Sequence, residues 1–237
     1  MQNAALALPA MALILSIETT TKVCSVALHL AGKLVATQEL WIEKSHADSL
    51  MLMIEQLLSR SPYNKNALSA IAVSQGPGSY TGLRIGTSTA QGLCYALEVP
   101  LIAVNTLEAM AYGVNQYNVT NALLCPMIDA RRMEVYYLLS DKKQHILEAT
   151  HSKVIDKDSF QNWLNAYTIL FFGDGAAKCQ PILEKNKNAI FLSHIYPSAT
   201  HIGVLAYEQF CQKKFEDSAY FEPLYLKEFQ TKLPKKK

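Results

Sequence analysis

Gln75-Gly-Pro-Gly-Ser-Tyr-Thr-Gly-Leu-Arg-Ile-Gly86 is the stretch whose reading decides the fold. Five of the ten glycines (Gly76, Gly78, Gly82, Gly86 and Gly92) fall within seventeen residues here. The apolar run Ala70–Ser74 leads in like a strand, and Leu83–Leu97 leads out with the spacing of a helix. Strand, glycine-rich turn and helix together present backbone N–H groups and a positive helix end to an anion. The glycines permit positive φ and close backbone approach, and Pro77 fixes one φ in the turn. No Gly-Lys-Ser/Thr follows, so this is not a P-loop, and the glycine spacing differs from the dinucleotide fingerprint. Two readings remain open. One is a tight turn with a closely packed helix, and the other is a ligand loop in which Gly76, Gly78, Ser79, Tyr80 and Thr81 touch an anion.

Outward from this centre, the chain reads as strands at Leu13–Ile17, Val23–Leu30 and Leu34–Trp41, the last two joined by Ala31-Gly-Lys33. Ser45 is the expected N-cap of a helix that runs to about Ser59, with Asp48 favouring its positive end. A strand at Leu68–Ser74, the glycine loop, a helix at Gly82–Leu97, a strand at Leu101–Val104 and a helix near Thr106–Tyr112 follow. Three strands, helix, strand, helix, strand, helix is the order of the ribonuclease-H-like unit found in actin and sugar kinases. The second half starts the same way, with strands at Leu123–Ile128, Glu134–Leu139 and 146–155, a helix at Lys157–Asn165 and a strand at Thr168–Phe172. The Gly173-Asp-Gly-Ala176 turn leads into another helix, and a last helix is expected at Ala199–Phe215. The polar stretch Gly113–Asn121 marks the boundary between the halves.

At 237 residues and 50% hydrophobic, the chain can bury a sizeable core, and its net charge of +2 spreads no basic field over the molecule. The Lys232, Lys235, Lys236 and Lys237 tail is read as solvated, with nucleic-acid phosphate as its alternative contact. Five scattered cysteines without a C-x-x-C pair fit a reducing compartment and no zinc site. The apolar start lacks a basic n-region and is interrupted by Pro9, so it is read as neither signal peptide nor membrane span. Together these point to a cytoplasmic protein.

For chemistry, His46 has Ile42 and Leu50 one turn away rather than a second histidine, so no metal-binding pair forms on that face. It is expected to be a surface or interface residue. Arg131 and Arg132 lie in a turn between Asp129 and Glu134, where they can either grip a phosphate or knot the turn with ion pairs. From Leu50 to Leu58 only Glu55 and Gln56 are polar, which leaves Met51 and Met53 as apolar surplus beyond one core stripe. Gly82, Gly86 and Ala90 form a small-residue stripe that lets a helix approach closely, and it can serve the subunit's own packing or a partner.

Gly76–Gly86 resembles the signature loop of the TsaB (YeaZ) family, bacterial subunits needed to make threonylcarbamoyladenosine beside the anticodon of tRNA. Asp129-Ala-Arg-Arg-Met-Glu-Val-Tyr136, Gly173-Asp-Gly-Ala176 and Pro223-Leu-Tyr-Leu226 carry the resemblance from Met11 to about Lys227. It implies an α/β fold of two ribonuclease-H-like (actin-like ATPase) units, each a mixed sheet with flanking helices. The units are expected at 11–113 and 114–237, the last helix returning to the first unit, with residues 1–10 as an extension.

The resemblance further implies an accessory subunit that binds and stabilises the catalytic paralogue TsaD, with the ATPase TsaE, for tRNAs reading codons that begin with A. His46, Leu50, Met51, Met53, Leu57, Gly82, Arg84, Gly86 and Ala90 would form the interface shared by a homodimer and the TsaD heterodimer. No catalytic residue, metal or resident cofactor is expected, and tRNA is met through the complex. Glu18 and Thr19, with Gly173 and Asp174, would mark a vestigial nucleotide cleft of weak affinity at most. Where relatives place Asp to hold a metal-bound water, this chain has Glu18, read otherwise as a surface carboxylate. The rival function is an autonomous ATP-dependent phosphotransferase using these same four residues.

Overall fold

The computed structural model describes residues 11–42 and 46–227. Residues 1–10, the Ser45 cap and the lysine tail lie outside them. The first half is built from β1 (Leu13–Glu18), β2 (Cys24–Leu30), β3 (Lys33–Leu40), α1 (His46–Ser59), β4 (Ala70–Gly76), α2 (Tyr80–Leu97), β5 (Leu101–Asn105) and α3 (Thr106–Asn115). Its five strands lie in the order β3-β2-β1-β4-β5. β1 pairs antiparallel with β2 and parallel with β4, which in turn pairs parallel with β5. Being central, β1 is buried along its whole length, with Leu13, Leu15 and Ile17 on one face and Ile14, Ser16 and Glu18 on the other.

The second half repeats the plan with β6 (Leu123–Asp129), β7 (Glu134–Ser140), β8 (Ile146–Val154), α4 (Gln161–Leu164), β9 (Ile169–Phe172), α5 (Asp174–Leu183), β10 (Ala189–Leu192) and α6 (Ala199–Cys211). Its sheet order, β8-β7-β6-β9-β10, matches the first strand for strand, with β6 in the place of β1 and β9 in the place of β4. The protein is therefore an α/β fold of two actin-like units.

Each sheet has a core on both faces. α1 and α2 cover one face of the first sheet through Leu50, Met53, Ile54, Leu57, Ala90 and Cys94. The other face is covered by α6, whose Ile202 and Ala206 pack on Ile14, Ala70, Ala72 and Val104. α3 contributes Leu107, Met110 and Val114 to the second sheet, against Leu124, Ile128 and Phe172. Each unit thus lends its last helix to the other, and Asn105 adds a cross-link by donating to Thr150 of β8 at 3.0 Å.

Three local expectations change. α2 starts at Tyr80, two residues before the expected Gly82, because Ser79 serves as its N-cap by accepting from the Gly82 N–H at 3.3 Å. The helix expected at Lys157–Asn165 shrinks to Gln161–Leu164. β10 was missed, since four residues are too few to show a period.

Candidate functional site

The glycine loop and the turn after β1 form one seam. Glu18 ends β1 and is fully buried, so the reading of a surface carboxylate fails: the signature loop lies over the turn that would have exposed it. Its Oε1 accepts from the Thr20 N–H and the Thr20 hydroxyl, both at 2.6 Å. Its Oε2 has no hydrogen-bond partner among the described residues, and neither has the buried Ser74 hydroxyl. Burial pushes the Glu18 carboxyl up to about 7, against the lowering effect of Thr20. The same burial, with Glu18 nearby, pushes the Cys24 thiol up to about 12.

The loop presses on this turn at van der Waals limits. A Cβ on Gly78 would sit 2.4 Å from Cβ of Thr20, and one on Gly82 would sit 2.0 Å from the Thr19 carbonyl oxygen. At Gly86 the Cβ would meet the Thr19 hydroxyl at 2.3 Å. The Ser79 N–H donates to the Thr20 carbonyl at 2.7 Å, and the Thr19 hydroxyl donates to the Gly82 carbonyl at 2.8 Å. Only Gly76 has a left-handed φ, at 104°. Gly78 is glycine for space and not for φ, which corrects that expectation. Of the two readings left open for the loop, the closely packed turn accounts for Gly78 and Gly82, and the Ser79 N–H is taken by the Thr20 carbonyl.

His46 is buried as well, with Nε2 2.8 Å from the Thr21 carbonyl oxygen, so it ties the start of α1 to the same turn instead of meeting a partner. Leu50, Met53, Leu57, Gly82, Gly86 and Ala90 are likewise buried in the subunit's own core and are withdrawn from the expected interface. Only Met51 and Arg84 of that set face outward. The exposed residues of α1 are Ala47, Asp48, Met51, Leu52, Glu55 and Ser59, and those of α2 are Thr81, Arg84, Ser88, Gly92, Tyr95 and Ala96. Tyr95 is 87% exposed, and a Cβ on Gly92 would touch nothing within 4 Å. The exposed apolar residues of α1 are Met51, as expected, and Leu52 in place of Met53, while the exposed small residues of α2, Ser88 and Gly92, each lie two positions beyond Gly86 and Ala90.

Residues 216–227 run as a strap across both units. The Glu216 N–H donates to the Leu101 carbonyl at 2.9 Å, Gln91 donates to the Phe221 carbonyl at 3.0 Å, and the Leu224 N–H donates to the Gln75 carbonyl at 2.7 Å. Tyr225 then packs on Tyr80 with ring centroids 4.9 Å apart, while the Arg84 guanidinium lies 5.0 Å from the Tyr80 ring. Lys227 reaches the second unit and pairs with Glu134. That hydrogen bond leads the causes holding the Glu134 carboxyl below the usual range.

At the β6–β7 turn, the knot expected from Arg131 and Arg132 is made by Lys178 of α5. This lysine pairs with Asp129 and donates to the carbonyls of Arg132 at 2.7 Å and Glu134 at 2.6 Å. Both arginines are exposed with left-handed φ, 67° and 48°, and neither forms an ion pair among the described residues. Asp174 accepts from the Asp129 N–H at 3.0 Å, and its burial raises its carboxyl. Gly173, φ 102°, lies against Met127, where a Cβ would be 2.1 Å from the carbonyl oxygen. Among the described residues no group of three His, Cys, Asp or Glu could hold a metal ion.

Residues 40–235 match the family model described as TsaD, tRNA N6-adenosine threonylcarbamoyltransferase. The chain is 30% identical over 232 residues to the tRNA threonylcarbamoyladenosine biosynthesis protein TsaB of Haemophilus influenzae, covering 93% of this chain and 97% of that one. It belongs to the TsaB family. The Escherichia coli member, of the same name, is 31% identical over 90% of this chain and 94% of its own. A Pseudomonas aeruginosa crystal structure, described as an uncharacterized protein with similarity to peptidase YEAZ, superposes with a TM-score of 0.80 at 25% identity. It covers 92% of this chain and all of that one.

Sequence reasoning about this TsaB-family chain missed Lys178, Lys227 and Tyr225. Each acts over a separation of more than ninety residues or from another element, where periodicity has no reach. Tyr225 alone carried a signal, as part of the quoted Pro223–Leu226 segment.

Proposed function

We propose that this chain is the accessory subunit of a tRNA threonylcarbamoyladenosine-forming complex, binding and stabilising TsaD and working with TsaE. The observation that carries this reading is the likeness, over nearly the whole chain, to proteins named for that biosynthesis. The tRNAs would be those reading codons that begin with A, met through the complex. The chain's own part would be association, through Met51, Leu52, Ser88, Gly92 and Tyr95, with a homodimer using the same face. An exposed tyrosine and two exposed aliphatics on adjacent helices form an adaptable apolar surface, and Ser88 and Gly92 let an opposing helix approach. The rival, an ATP-dependent phosphotransferase, is supported less: the Glu18–Thr21 turn that would face phosphate is covered by Gly78, Ser79 and Gly82.

The test is reconstitution with TsaD and TsaE from the same organism, omitting each protein in turn and measuring threonylcarbamoyladenosine in tRNA. Modification is expected to fall to background without this chain, and Met51→Arg is expected to weaken co-purification with TsaD while leaving the melting temperature unchanged. Tight, magnesium-dependent ATP turnover by the chain alone would establish the rival instead.

A further inference from the structure

The turn between β6 and β7 holds two cations clear of the rest of the protein. Arg131 and Arg132 follow one another in the left-handed region, a conformation that favours glycine or asparagine over a long side chain. Both are exposed, and neither guanidinium has a hydrogen bond or ion pair among the described residues. The carboxylates that could have neutralised them are engaged elsewhere. Asp129 pairs with Lys178 and accepts from the Arg131 N–H at 2.8 Å, Glu134 pairs with Lys227, and Asp174 accepts from the Asp129 N–H. The two lysines also pin the turn itself: Lys178 donates to the carbonyls of Arg132 and Glu134, and Lys227 to that of Ala130 at 3.4 Å. Each ammonium is thereby used inside the structure. The forked donors of two neighbouring guanidiniums are left for something outside it.

The chain leaves the described residues at this same turn. Beyond Lys227, residues 228–237 carry Lys232, Lys235, Lys236 and Lys237 against the single acid Glu228. That excess is larger than the net +2 of the whole chain, so the rest of the protein is on balance acidic. A segment of this length reaches at most roughly 35 Å from Lys227 when fully extended. Paired guanidinium forks match the oxygens of a phosphate, and lysines strung along a chain match phosphates repeated along a strand. A lone phosphate or carboxylate would use only one part of this arrangement.

We propose that the β6–β7 turn and residues 228–237 together bind the phosphate backbone of RNA, with Arg131 and Arg132 positioning the strand and the lysines adding salt-dependent affinity. Such a contact recognises charge and its spacing rather than bases, so it positions RNA without reading sequence. An acidic peptide would meet the same cations, and RNA is the polyanion that the accessory reading brings to this chain. The proposal deepens that reading by giving the chain its own hold on RNA, and it rests on it for the RNA named.

The experiment is anisotropy titration of the full chain against a fluorescently labelled, unmodified transfer RNA transcript, repeated at several salt concentrations. Arg131→Asn combined with Arg132→Gly removes both charges and gives the turn the residues its backbone favours, which keeps the test free of misfolding. This double variant should bind RNA at least tenfold more weakly at low salt, with a melting temperature equal to or above the parent's. Its slope of log affinity against log salt should shrink by about 1.4–1.8, the loss of two phosphate contacts. Replacing Lys232, Lys235, Lys236 and Lys237 with alanine should weaken binding at least tenfold by an independent route. No saturable RNA binding, an affinity unchanged by both variants, or displacement of RNA as readily by polyglutamate as by unlabelled RNA would overturn the proposal. In the reconstituted reaction the turn variant should raise the KM for tRNA at least threefold with kcat unchanged, and an unchanged KM would likewise overturn it. Should modification proceed without this chain, the accessory reading fails while the RNA titration still decides the contact.

Discussion

The two units place a carboxylate at the same point of the same topology and treat it in opposite ways. Glu18 ends β1 and Asp129 ends β6, the matching central strands. The strand beside each is followed by a helix across a glycine with φ near 100°: Gly76 at 104° closes β4 four residues before α2, and Gly173 at 102° joins the end of β9 to α5. In the first unit the helix start is pushed so close that the turn is sealed and Glu18 loses water. In the second, α5 meets the strand end through a polar contact, Asp174 to the Asp129 N–H, and Asp129 stays half exposed against Lys178. The difference lies in the glycines: Gly78, Gly82 and Gly86 give the first helix a side without Cβ atoms, and only Gly175 does so in the second. A glycine-rich loop is therefore no evidence of a ligand until the space its missing side chains leave has been located. Here protein fills it.

The largest effect should separate the two helix starts directly. Gly82→Ala would place a methyl 2.0 Å from a backbone oxygen that cannot move without opening the turn. We expect a loss of more than ~3 kcal/mol, or failure to fold. Gly175→Ala meets its nearest atom at 2.8 Å and should cost about 1–2 kcal/mol. Chemical denaturation of both variants checks this, and equal losses would break the contrast.

Next comes the pH dependence. Glu18 in the folded chain holds its proton to about 7, against 4.5 ordinarily. The folded state thus binds more protons than the unfolded one between those values, so the contribution of Glu18 is fully present below 4.5 and is lost as pH rises to about 7. The size is on the order of 3 kcal/mol. Glu18→Gln keeps an acceptor for Thr20, offers a donor near Ser74 and removes the titration. The variant should therefore show a flatter stability profile across that window than the parent. Asp129→Asn, at an exposed position, should change stability by less than about 1 kcal/mol at any pH in the same range. Urea midpoints at half-unit pH steps decide it.

Much of this plan was legible because the first unit's elements are long. β1 and β2 read as apolar runs, α1 and α2 had more than a dozen residues each, and Ala31-Gly32 announced the hairpin. The second unit's α4, β9 and β10 have four residues each, too few to express a period, so its repeat of the first was visible in strand order and not residue by residue. The site was legible in type and misread in direction. Periodicity gave an apolar surplus on α1 and small residues on α2, but which residues face the core depends on where the sheet and the 18–21 turn lie. Met53 and Ala90 consequently went to the wrong side, Gly92 counted only as a neighbour of the stripe, and Leu52 and Tyr95 were overlooked.

The strap joins the units, so cutting its contacts one at a time weighs its two halves. Tyr225→Ala removes a partly exposed aromatic pair with Tyr80 and should cost ~1 kcal/mol. Lys227→Ala removes an ion pair whose members are both partly exposed, worth about 0.5 kcal/mol. A larger loss at Lys227 than at Tyr225 would mean that the second unit, and not the signature loop, anchors the strap.

The smallest expected effect has the opposite sign. Gly92 is a glycine in the middle of α2 whose Cβ position is open space, in contrast with Gly82 ten residues earlier on the same helix. Inside a helix, glycine is less favourable than alanine by roughly 0.5–1 kcal/mol, because it loses more backbone freedom on folding. Gly92→Ala should therefore stabilise the isolated chain by about that amount, with no contact made or broken. A glycine kept at a stability cost on an exposed helix face is explained if another surface approaches it closely, and the same methyl would then hold that surface away. The paired measurement is thermal unfolding of the isolated variant beside its affinity for TsaD and its sedimentation alone. A higher melting temperature with weaker association places the close approach at Gly92, on the same outward face as Ser88 and Tyr95. A higher melting temperature with unchanged association moves the interface off this face, and a lower one would show that the position is not open in the folded chain.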